Sequence, residues 1–182
     1  DRLAVAIEFQ RREQELVRRA TVDTLTGLPN RQLLVDRLEQ ELIRAKTFGR
    51  SISVCFVDLD RFKQVNDSQG HACGDELLRQ TASRLARCVR ETETVARLGG
   101  DEFVILLSGD RHSAPVQATM TRVLNAIARP YVVEDREFFI GASVGIASFP
   151  LDDDTPQGLL RKADTAMYGA KTSGRGAVLH FD

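Results

Sequence analysis

Three apolar runs with the character of strands occupy the middle of the chain. Residues 54–57 form an unbroken apolar run, which is typical of a strand buried on both faces. The runs 94–98 and 103–107 lie on either side of Gly99 and Gly100. Because glycine tolerates the positive φ of tight turns, two such runs joined by a Gly-Gly pair predict a β-hairpin.

The remaining elements are predicted from helical spacing and from flanking glycine and proline residues. Helices are expected over residues 1–20, 31–46, 74–89 and 113–128, and between Pro156 and Gly174. Further strands are expected as an antiparallel pair, 131–133 with 138–148, and as a short strand over 178–181. Within this pair, Gly141 and Gly145 are expected to mark a bulge or close packing. Strands and helices mix without the strict alternation of a doubly wound sheet, so that fold is not predicted.

The first 20 residues are polar and charged, with apolar residues at intervals. Positions 3, 7, 10, 14 and 17 follow a heptad-like spacing, but two of the five, Gln10 and Gln14, are glutamines. Because glutamine weakens an apolar seam, a strong free-standing coiled coil is not predicted. The segment is interpreted as a linker helix.

The composition fits one globular domain and excludes several function classes. A chain of 182 residues with a net charge of −1 has no global basic field, so we expect neither nucleic-acid binding nor membrane contact by this segment. The three cysteines lack CxxC spacing, which predicts reduced, mostly buried thiols rather than disulfides or a zinc site. No apolar run approaches the length of a membrane span, and no signal peptide is visible. Because the chain does not begin with Met, we expect it to be a segment of a longer protein.

Two pairs of carboxylates lie at the ends of predicted strands. Asp101 and Glu102 follow the Gly-Gly turn, and Asp58 and Asp60 follow the run 54–57. Carboxylates rarely lie beside a core strand unless a cation compensates their charge. Asp58 and Asp101 together suit Mg²⁺, which binds a few carboxylates together with substrate phosphates. The alternatives are an ordinary solvated turn for Asp101 and Glu102, and capping of the following turn for Asp58 and Asp60.

An ordered series of motifs extends from about residue 20 to the end of the chain. It consists of DTLTGLPNR at 23–31, DLDRFKQVND at 58–67, GHACGD at 70–75, GGDEF at 99–103 and a closing segment from Ala163 to Arg175. This series resembles the GGDEF family, the diguanylate cyclases of bacteria. The resemblance implies an α/β (α+β) fold with a central, mainly antiparallel sheet flanked by helices, like the palm of nucleotide cyclases and polymerases. It also implies a signalling helix at 1–20 and a catalytic domain at 21–182.

The resemblance implies that two GTP molecules condense to cyclic di-GMP and two pyrophosphates. Each 3′-hydroxyl attacks the α-phosphate of the other GTP, assisted by Mg²⁺ or Mn²⁺. The implied metal ligands are Asp58, the Leu59 carbonyl, Asp101 and Glu102, and the implied catalytic residues are Lys63, Asp101 and Glu102. The implied substrate contacts are Phe62, Lys63, Asn66, Asp75, Gly99, Gly100, Lys171 and Arg175.

Several of these residues also have structural interpretations that the sequence leaves open. Asn66 is a common turn residue, and Asp75 suits the first turn of a helix. Lys171 and Arg175 are what the C-terminus of a helix favours. Strand alternation alone would direct Asp101 and Glu102 to opposite sides, which makes the metal role of Glu102 the weaker assignment.

One departure from the family concerns an inhibitory product site. Many members carry RxxD before the signature, whereas this chain has Arg90 and Glu93 at those positions. The arginine suits bidentate contact with phosphate or guanine. The glutamate is one methylene longer than aspartate, so inhibition by the product is in question. The structural alternative is a solvated helix end.

The resemblance also implies partners. One site holds one GTP while the product contains two, so the reaction needs a homodimer with facing sites. An upstream sensor domain and a downstream phosphodiesterase domain are expected neighbours. The segment is expected to be cytoplasmic, within a full-length protein that can be membrane-anchored. Two other functions stay open: a GTP-binding module that regulates an attached phosphodiesterase without synthesis, and a silent cyclic di-GMP receptor that uses Arg90.

Overall fold

The computed structural model describes residues 2–181. Asp1 and Asp182, which the predicted domain limits include, lie outside these residues. The six helices of the described residues are α1 Arg2–Thr21, α2 Arg31–Phe48, α3 Phe62–Gln69, α4 His71–Cys88, α5 Ala114–Ala128 and α6 Pro156–Thr172. The seven strands are β1 Ile52–Asp60, β2 Thr94–Gly99, β3 Glu102–Ser108, β4 Tyr131–Val133, β5 Arg136–Phe138, β6 Gly141–Phe149 and β7 Val178–His180.

Five strands form the central sheet, in the order β2-β3-β1-β6-β7. The central strand β1 pairs antiparallel with both β3 and β6, and β7 joins β6 in parallel. The predicted mainly antiparallel sheet with flanking helices is therefore confirmed. Because β1 is hydrogen-bonded along both edges, its C-terminal end is a rigid support for any side chain it carries.

The side chains of β1 belong to two hydrophobic clusters, one on each face of the sheet. Cys55, Val57 and Leu59 pack on the face covered by α4 and α5. Val54 and Phe56 pack on the face covered by α2 and α6. Burial on both faces explains why the run is apolar without alternation.

Helix α6 packs on the sheet at backbone distance. A Cβ atom at Gly145 would lie 2.1 Å from both the Ala163 carbonyl oxygen and the Met167 amide nitrogen. No side chain fits there, so this glycine marks the close packing that was expected of it.

The helix limits follow local signals. Asn30 precedes α2, and its side chain accepts a hydrogen bond from the Leu33 amide at 3.1 Å. Gly49 follows the helix in the left-handed conformation with φ 61°. In α6, the Thr155 hydroxyl accepts from the Gly158 amide at 3.0 Å, and Pro156 takes the first helical position.

One prediction about strand pairing was wrong, and one helix was missed. Strand β4 pairs with β5 in a separate two-stranded sheet, whereas β6 pairs with β1. Glu134 and Asp135, with φ of 48° and 61°, form the tight turn that folds β5 back on β4. Helix α3 was not predicted.

The three cysteines are free, with Cys55 and Cys88 buried. Within residues 2–181, no helix combines the length and apolar character needed to cross a bilayer.

Candidate functional site

The predicted acidic residues meet where β1 ends and β3 begins. Asp58 pairs in register with Glu102, and the Leu59 amide donates to the Asp101 carbonyl oxygen at 3.3 Å. Asp101 and Glu102 are half-buried, and Asp58 is buried with 5% of its surface exposed. Sheet pairing therefore brings together carboxylates that are more than forty residues apart in sequence.

The Asp58 carboxylate has a cationic neighbour from α6. Nζ of Lys171 lies 2.6 Å from Oδ1 of Asp58, and only 7% of the Asp58 side chain is exposed. Among residues 2–181, Oδ1 of Asp58 has no hydrogen-bond partner apart from the Lys171 ammonium of this ion pair. Burial raises the pKa of Asp58 to about 6, the Lys171 ammonium opposes this rise, and the Asp101 and Glu102 carboxylates add to it.

Glu102 is also held in an environment that disfavours its charge. Burial raises the pKa of Glu102, and the nearby carboxylates of Asp164 and Asp101 raise it further. Arg31 and Lys171 act in the opposite direction. Asp164 on α6 and Arg31 on α2 therefore belong to the electrostatic surroundings of the site, which the sequence did not show.

The carboxylates of Asp58, Asp101 and Glu102 are the oxygen donors that this end of the sheet offers to a divalent cation. Within the described part of the chain, no group of three or more His, Cys, Asp or Glu residues is arranged to hold a metal ion. Asp58 nevertheless has a buried oxygen whose sole close partner in that part is an ammonium group. Two more carboxylates lie beside it, on Asp101 and Glu102. Oxygen donors with excess negative charge fit Mg²⁺ or Mn²⁺, provided that Lys171 releases Asp58.

The Gly-Gly turn is stabilised by hydrogen bonds from the Arg97 side chain. Gly99 and Gly100 have φ of 143° and 50°, and the register of β2 on β3 shifts between Arg97 and Gly99. The Arg97 guanidinium donates to the Gly100 carbonyl oxygen at 3.0 and 2.8 Å. It also donates to Oδ1 of Asp23 at 2.9 Å. The turn geometry therefore depends on a contact with the segment before α2.

Asp23 is itself fixed by its own loop. Its Oδ2 accepts from the amide and the hydroxyl of Thr26 at 2.9 and 2.6 Å. Burial alone would raise the pKa of Asp23, but these hydrogen bonds and the charge of Arg97 lower it below the ordinary value. Asp23 and Arg97 were missed as site-building residues, although Asp23 opens a motif that had no assigned role.

Four predicted substrate contacts lie on α3 and α4. Phe62 is buried and begins α3, Lys63 is exposed, and Asn66 and Asp75 are half-buried. Oδ1 of Asn66 is buried and has no hydrogen-bond partner among the described residues. A Cβ atom at Gly74 would lie 1.8 Å from this oxygen, so Gly74 provides the space in which Asn66 sits.

The end of α6 and the loop after it carry the two remaining predicted contacts. Lys171 lies in the last turn of α6, and Arg175 is exposed with φ 64°. The alternative that Asp58 and Asp60 cap the following turn is not supported, because α3 begins at Phe62 without a side-chain cap. Asp60 instead contacts Ser143 and the backbone of Gly176.

Arg90 and Glu93 lie in the turn between α4 and β2, at the opposite end of β2 from the Gly-Gly pair. The Arg90 amide donates to Oε2 of Glu93 at 2.8 Å, and the Glu93 amide donates to the Arg90 carbonyl at 3.0 Å. The Glu93 carboxylate is therefore bound to the backbone of the same turn that contains it. A groove of about 600 Å³ runs beside it, lined by Arg37 and Arg44 among others.

The structure is thus an α/β domain whose mixed sheet carries carboxylates and a glycine turn at one end, beside a lysine from α6. Comparison with known proteins gives the family. Residues 20–177 match the family described as diguanylate cyclase, GGDEF domain. The chain belongs to this GGDEF family.

Similar proteins and a similar solved structure agree with this assignment. The chain is 44% identical over 178 residues to the bifunctional diguanylate cyclase/cyclic di-GMP phosphodiesterase MucR of Pseudomonas aeruginosa, covering 98% of this chain and 26% of MucR. It is 39% identical over 176 residues to the cyclic di-GMP phosphodiesterase PdeR of Escherichia coli, covering 96% of this chain and 26% of PdeR. The chain thus spans about a quarter of the length of these relatives. The crystal structure of the GGDEF domain of TpbB from Pseudomonas aeruginosa superposes with a TM-score of 0.83 at 38% identity, covering 86% of this chain and 98% of that one.

Proposed function

We propose that residues 21–182 form the catalytic domain of a diguanylate cyclase, which condenses two GTP molecules into cyclic di-GMP and two pyrophosphates. The observation that carries this proposal is the meeting of Asp58, Asp101, Glu102 and Lys171 at one end of the sheet. Phosphoryl transfer needs mainly positioning and charge neutralisation. An end of a rigid sheet that carries both acidic and basic groups meets both needs.

A divalent cation, Mg²⁺ or Mn²⁺, would be held by Asp58, the Leu59 carbonyl, Asp101 and Glu102. When bound, it supplies charge neutralisation at the phosphates and lowers the pKa of the attacking hydroxyl. Glu102 has a raised pKa, which suits a group that accepts a proton, so we assign it that role as an alternative to ligation.

The chain's own cations bind the triphosphate in this proposal. Lys63 is exposed at the start of α3 and Lys171 lies at the edge of the acidic cluster. Arg175 follows in the loop after α6. With Asp58 engaged by a divalent cation, the ammonium of Lys171, now paired with Asp58, would be free to contact phosphate oxygens. The backbone of Gly99 and Gly100 allows a phosphate to approach without steric hindrance.

Asn66 and Asp75 select guanine. The Asn66 oxygen is buried without a partner, and such an acceptor is costly unless a ligand satisfies it. Guanine offers N–H donors on N1 and on its exocyclic amine, whereas adenine offers no donor at N1. Phe62 is buried next to this site, since a Cβ atom at Gly74 would lie 3.1 Å from its Cζ atom.

Two such domains facing each other across a two-fold axis would make the product, so we propose a homodimer. An upstream sensor and a downstream phosphodiesterase domain are proposed for the full protein; the phosphodiesterase is supported by the name of MucR, which includes that activity. Because GTP is a cytoplasmic nucleotide, the domain is proposed to face the cytoplasm.

The turn formed by Arg90 and Glu93 is proposed to bind product weakly, since Glu93 already accepts a backbone hydrogen bond.

A second candidate is a GTP-binding module that regulates an attached phosphodiesterase without synthesis. It is favoured by the similarity to PdeR, which carries the name of a phosphodiesterase. The two candidates share the nucleotide site and differ in whether product forms.

The deciding experiment incubates the purified chain at high concentration with GTP and Mg²⁺ and detects cyclic di-GMP by mass. Asp101→Ala serves as the matched inactive variant, and a fusion to a strong dimerisation domain tests whether dimerisation is limiting. Product from the wild type alone supports the cyclase. GTP binding without product, even in the fused dimer, supports the regulatory module. Equal product from Asp101→Ala would refute the role of the acidic cluster.

A further inference from the structure

Asp60 is a buried carboxylate with no part in the proposed chemistry. It ends β1 and exposes 6% of its surface. Its Oδ1 accepts from the Ser143 hydroxyl at 2.8 Å, and its Oδ2 accepts from the Gly176 amide at 3.0 Å. Both oxygens are therefore used to join β1 to other parts of the chain.

The bond to Gly176 reaches across 116 residues to the loop after α6. That loop reverses direction sharply, since Arg175 and Gly176 have φ of 64° and 63°. A left-handed backbone is unfavourable for arginine and persists only where the surroundings impose it. Two backbone hydrogen bonds also hold this loop: the Arg175 amide donates to the Ala170 carbonyl oxygen at 3.2 Å, and the Val144 amide donates to the Ala177 carbonyl oxygen at 2.9 Å.

The carboxylate also fits tightly against β6. A Cβ atom at Gly141 would lie 3.2 Å from Oδ2 of Asp60. A cavity of about 240 Å³ opens beside this contact, and Arg61 and Arg175 help to line it. Asp60 is therefore enclosed on the side of the strand and open on the side where Arg175 lies.

Asp58 and Asp60 lie two residues apart and both hold the same end of α6. The contact of Asp58 is an ion pair with the Lys171 side chain, which a metal ion would replace. The contact of Asp60 is a hydrogen bond to backbone, which no metal ion competes for. The second contact would therefore remain after the first has been exchanged, together with the hydrogen bond from the Val144 amide to the Ala177 carbonyl oxygen at 2.9 Å.

We propose that Asp60 is a positioning residue that holds residues 174–176 against β1, so that Lys171 and Arg175 are in place for the triphosphate. This inference rests on the proposed function, because it takes GTP as the ligand of these two cations. It assigns Asp60 no contact with substrate or metal.

The test compares three variants with the wild type. Asp60→Ala removes both hydrogen bonds. Asp60→Asn retains them, because its oxygen can accept from Gly176 while its amide donates to the Ser143 hydroxyl. Ser143→Ala removes one bond and leaves the contact with Gly176 intact.

Binding is measured by calorimetry with Mg²⁺ and two ligands, 3′-deoxy-GTP, which lacks the attacking hydroxyl, and GMP, which lacks the β- and γ-phosphates. Asp60→Ala should weaken 3′-deoxy-GTP binding about tenfold or more, the range expected for a lost charge-assisted hydrogen bond, and leave GMP binding unchanged. Asp60→Asn and Ser143→Ala should bind both ligands like the wild type. Equal loss for both ligands in Asp60→Ala would indicate a general structural role and overturn the proposal, as would no loss at all.

A measurement on the wild type keeps the proposal testable if Asp60→Ala does not fold. Gly176 lies at the surface, so its amide should exchange with solvent at the intrinsic rate unless Asp60 protects it. Slowing of at least about tenfold by NMR supports the contact, and unprotected exchange overturns it. Failure of the wild type to bind 3′-deoxy-GTP would refute the proposed function instead, which separates the two outcomes.

Discussion

At the scale of single residues, the site is defined by a carboxylate that is costly to keep charged. Asp58 is buried, and its ion pair with Lys171 compensates for only part of the lost hydration. Such a group binds whichever cation is available, because a cation restores the charged form. A metal ion held as proposed would therefore compete with Lys171 for one oxygen of Asp58.

The first prediction concerns stability and pH. The pKa of Asp58 rises from 3.8 to about 6 on folding, so between these values the folded protein binds a proton that the unfolded chain does not. Stability therefore falls as pH rises through this window, and the cost is fully present above pH 6. Asp58→Asn should be more stable than wild type by about 1–3 kcal/mol above the window and lose this advantage below it.

Urea unfolding without added metal, at pH 4 and at pH 7.5, measures this difference. An advantage of equal size at both pH values would show that the Asp58 charge is not its cause.

The second prediction concerns competition between Lys171 and the metal ion. Lys171→Met should bind Mn²⁺ several-fold more tightly in the absence of nucleotide, because Asp58 loses its ammonium partner. The same variant should bind 3′-deoxy-GTP more weakly. Electron paramagnetic resonance of free Mn²⁺ gives the first affinity and calorimetry the second.

Lys162→Met is the matched control, since Lys162 lies on the same helix and pairs with Asp153 at 3.0 Å. It should change neither affinity. Weaker Mn²⁺ binding in Lys171→Met would contradict the idea that the lysine occupies the metal's place.

At the scale of secondary-structure elements, long amphipathic helices and the core strands follow from the sequence alone. Helix α3 does not, because its eight residues contain only two apolar positions, Phe62 and Val65, too few to show a period. The pairing of β4 with β5 was missed because a three-residue strand with the sequence REF has little strand character.

The site shows the same limit. Its acids were found because they follow apolar runs and match a motif. The contacts that hold them, Asp23 with Arg97 and Asp60 with Gly176, span 74 and 116 residues. No local pattern encodes such contacts, since they depend on how distant segments fold against one another.

The third prediction concerns the packing of α3 on α4. Gly74→Ala would place a methyl group 1.8 Å from Oδ1 of Asn66, so Asn66 must move away. Binding of 3′-deoxy-GTP should fall about tenfold or more, while binding of 3′-deoxy-ATP should change little, which lowers the preference for guanine.

Gly158→Ala is the control, because its methyl group would lie 2.2 Å from the Asp153 carboxylate, in α6 and away from Asn66. Both variants should lose stability, and only Gly74→Ala should lose discrimination. Equal discrimination in the two variants would remove Asn66 from guanine recognition.

At the scale of the whole molecule, helix α1 exposes apolar side chains on two opposite faces. They are Leu3, Ile7 and Val17 on the heptad face and Val5, Phe9 and Leu16 on the other. The heptad face continues into a groove of about 450 Å³ that Thr21 and Val22 help to line. We therefore expect the heptad face to lie between the two copies of the proposed dimer.

The fourth prediction follows from this geometry. Ile7→Glu with Val17→Glu should lower the rate of cyclic di-GMP formation per chain, most strongly at low protein concentration, because like charges would face each other in the dimer. Nucleotide affinity should not change. The rate as a function of concentration measures the effect, and Val5→Glu with Leu16→Glu provides the control. Equal effects of both pairs would mean that the heptad face is not the interface.

The absence of a side chain at position 145 sets the thickness of the domain. A methyl group there would act as a spacer between β6 and α6, which now touch through their backbones. The helix would tilt or shift outward, and its last turn, one turn beyond Met167, would withdraw Lys171 from β1. A substitution deep in the hydrophobic interior would thus weaken the proposed binding of phosphate by Lys171, although residue 145 is not among the proposed ligand contacts.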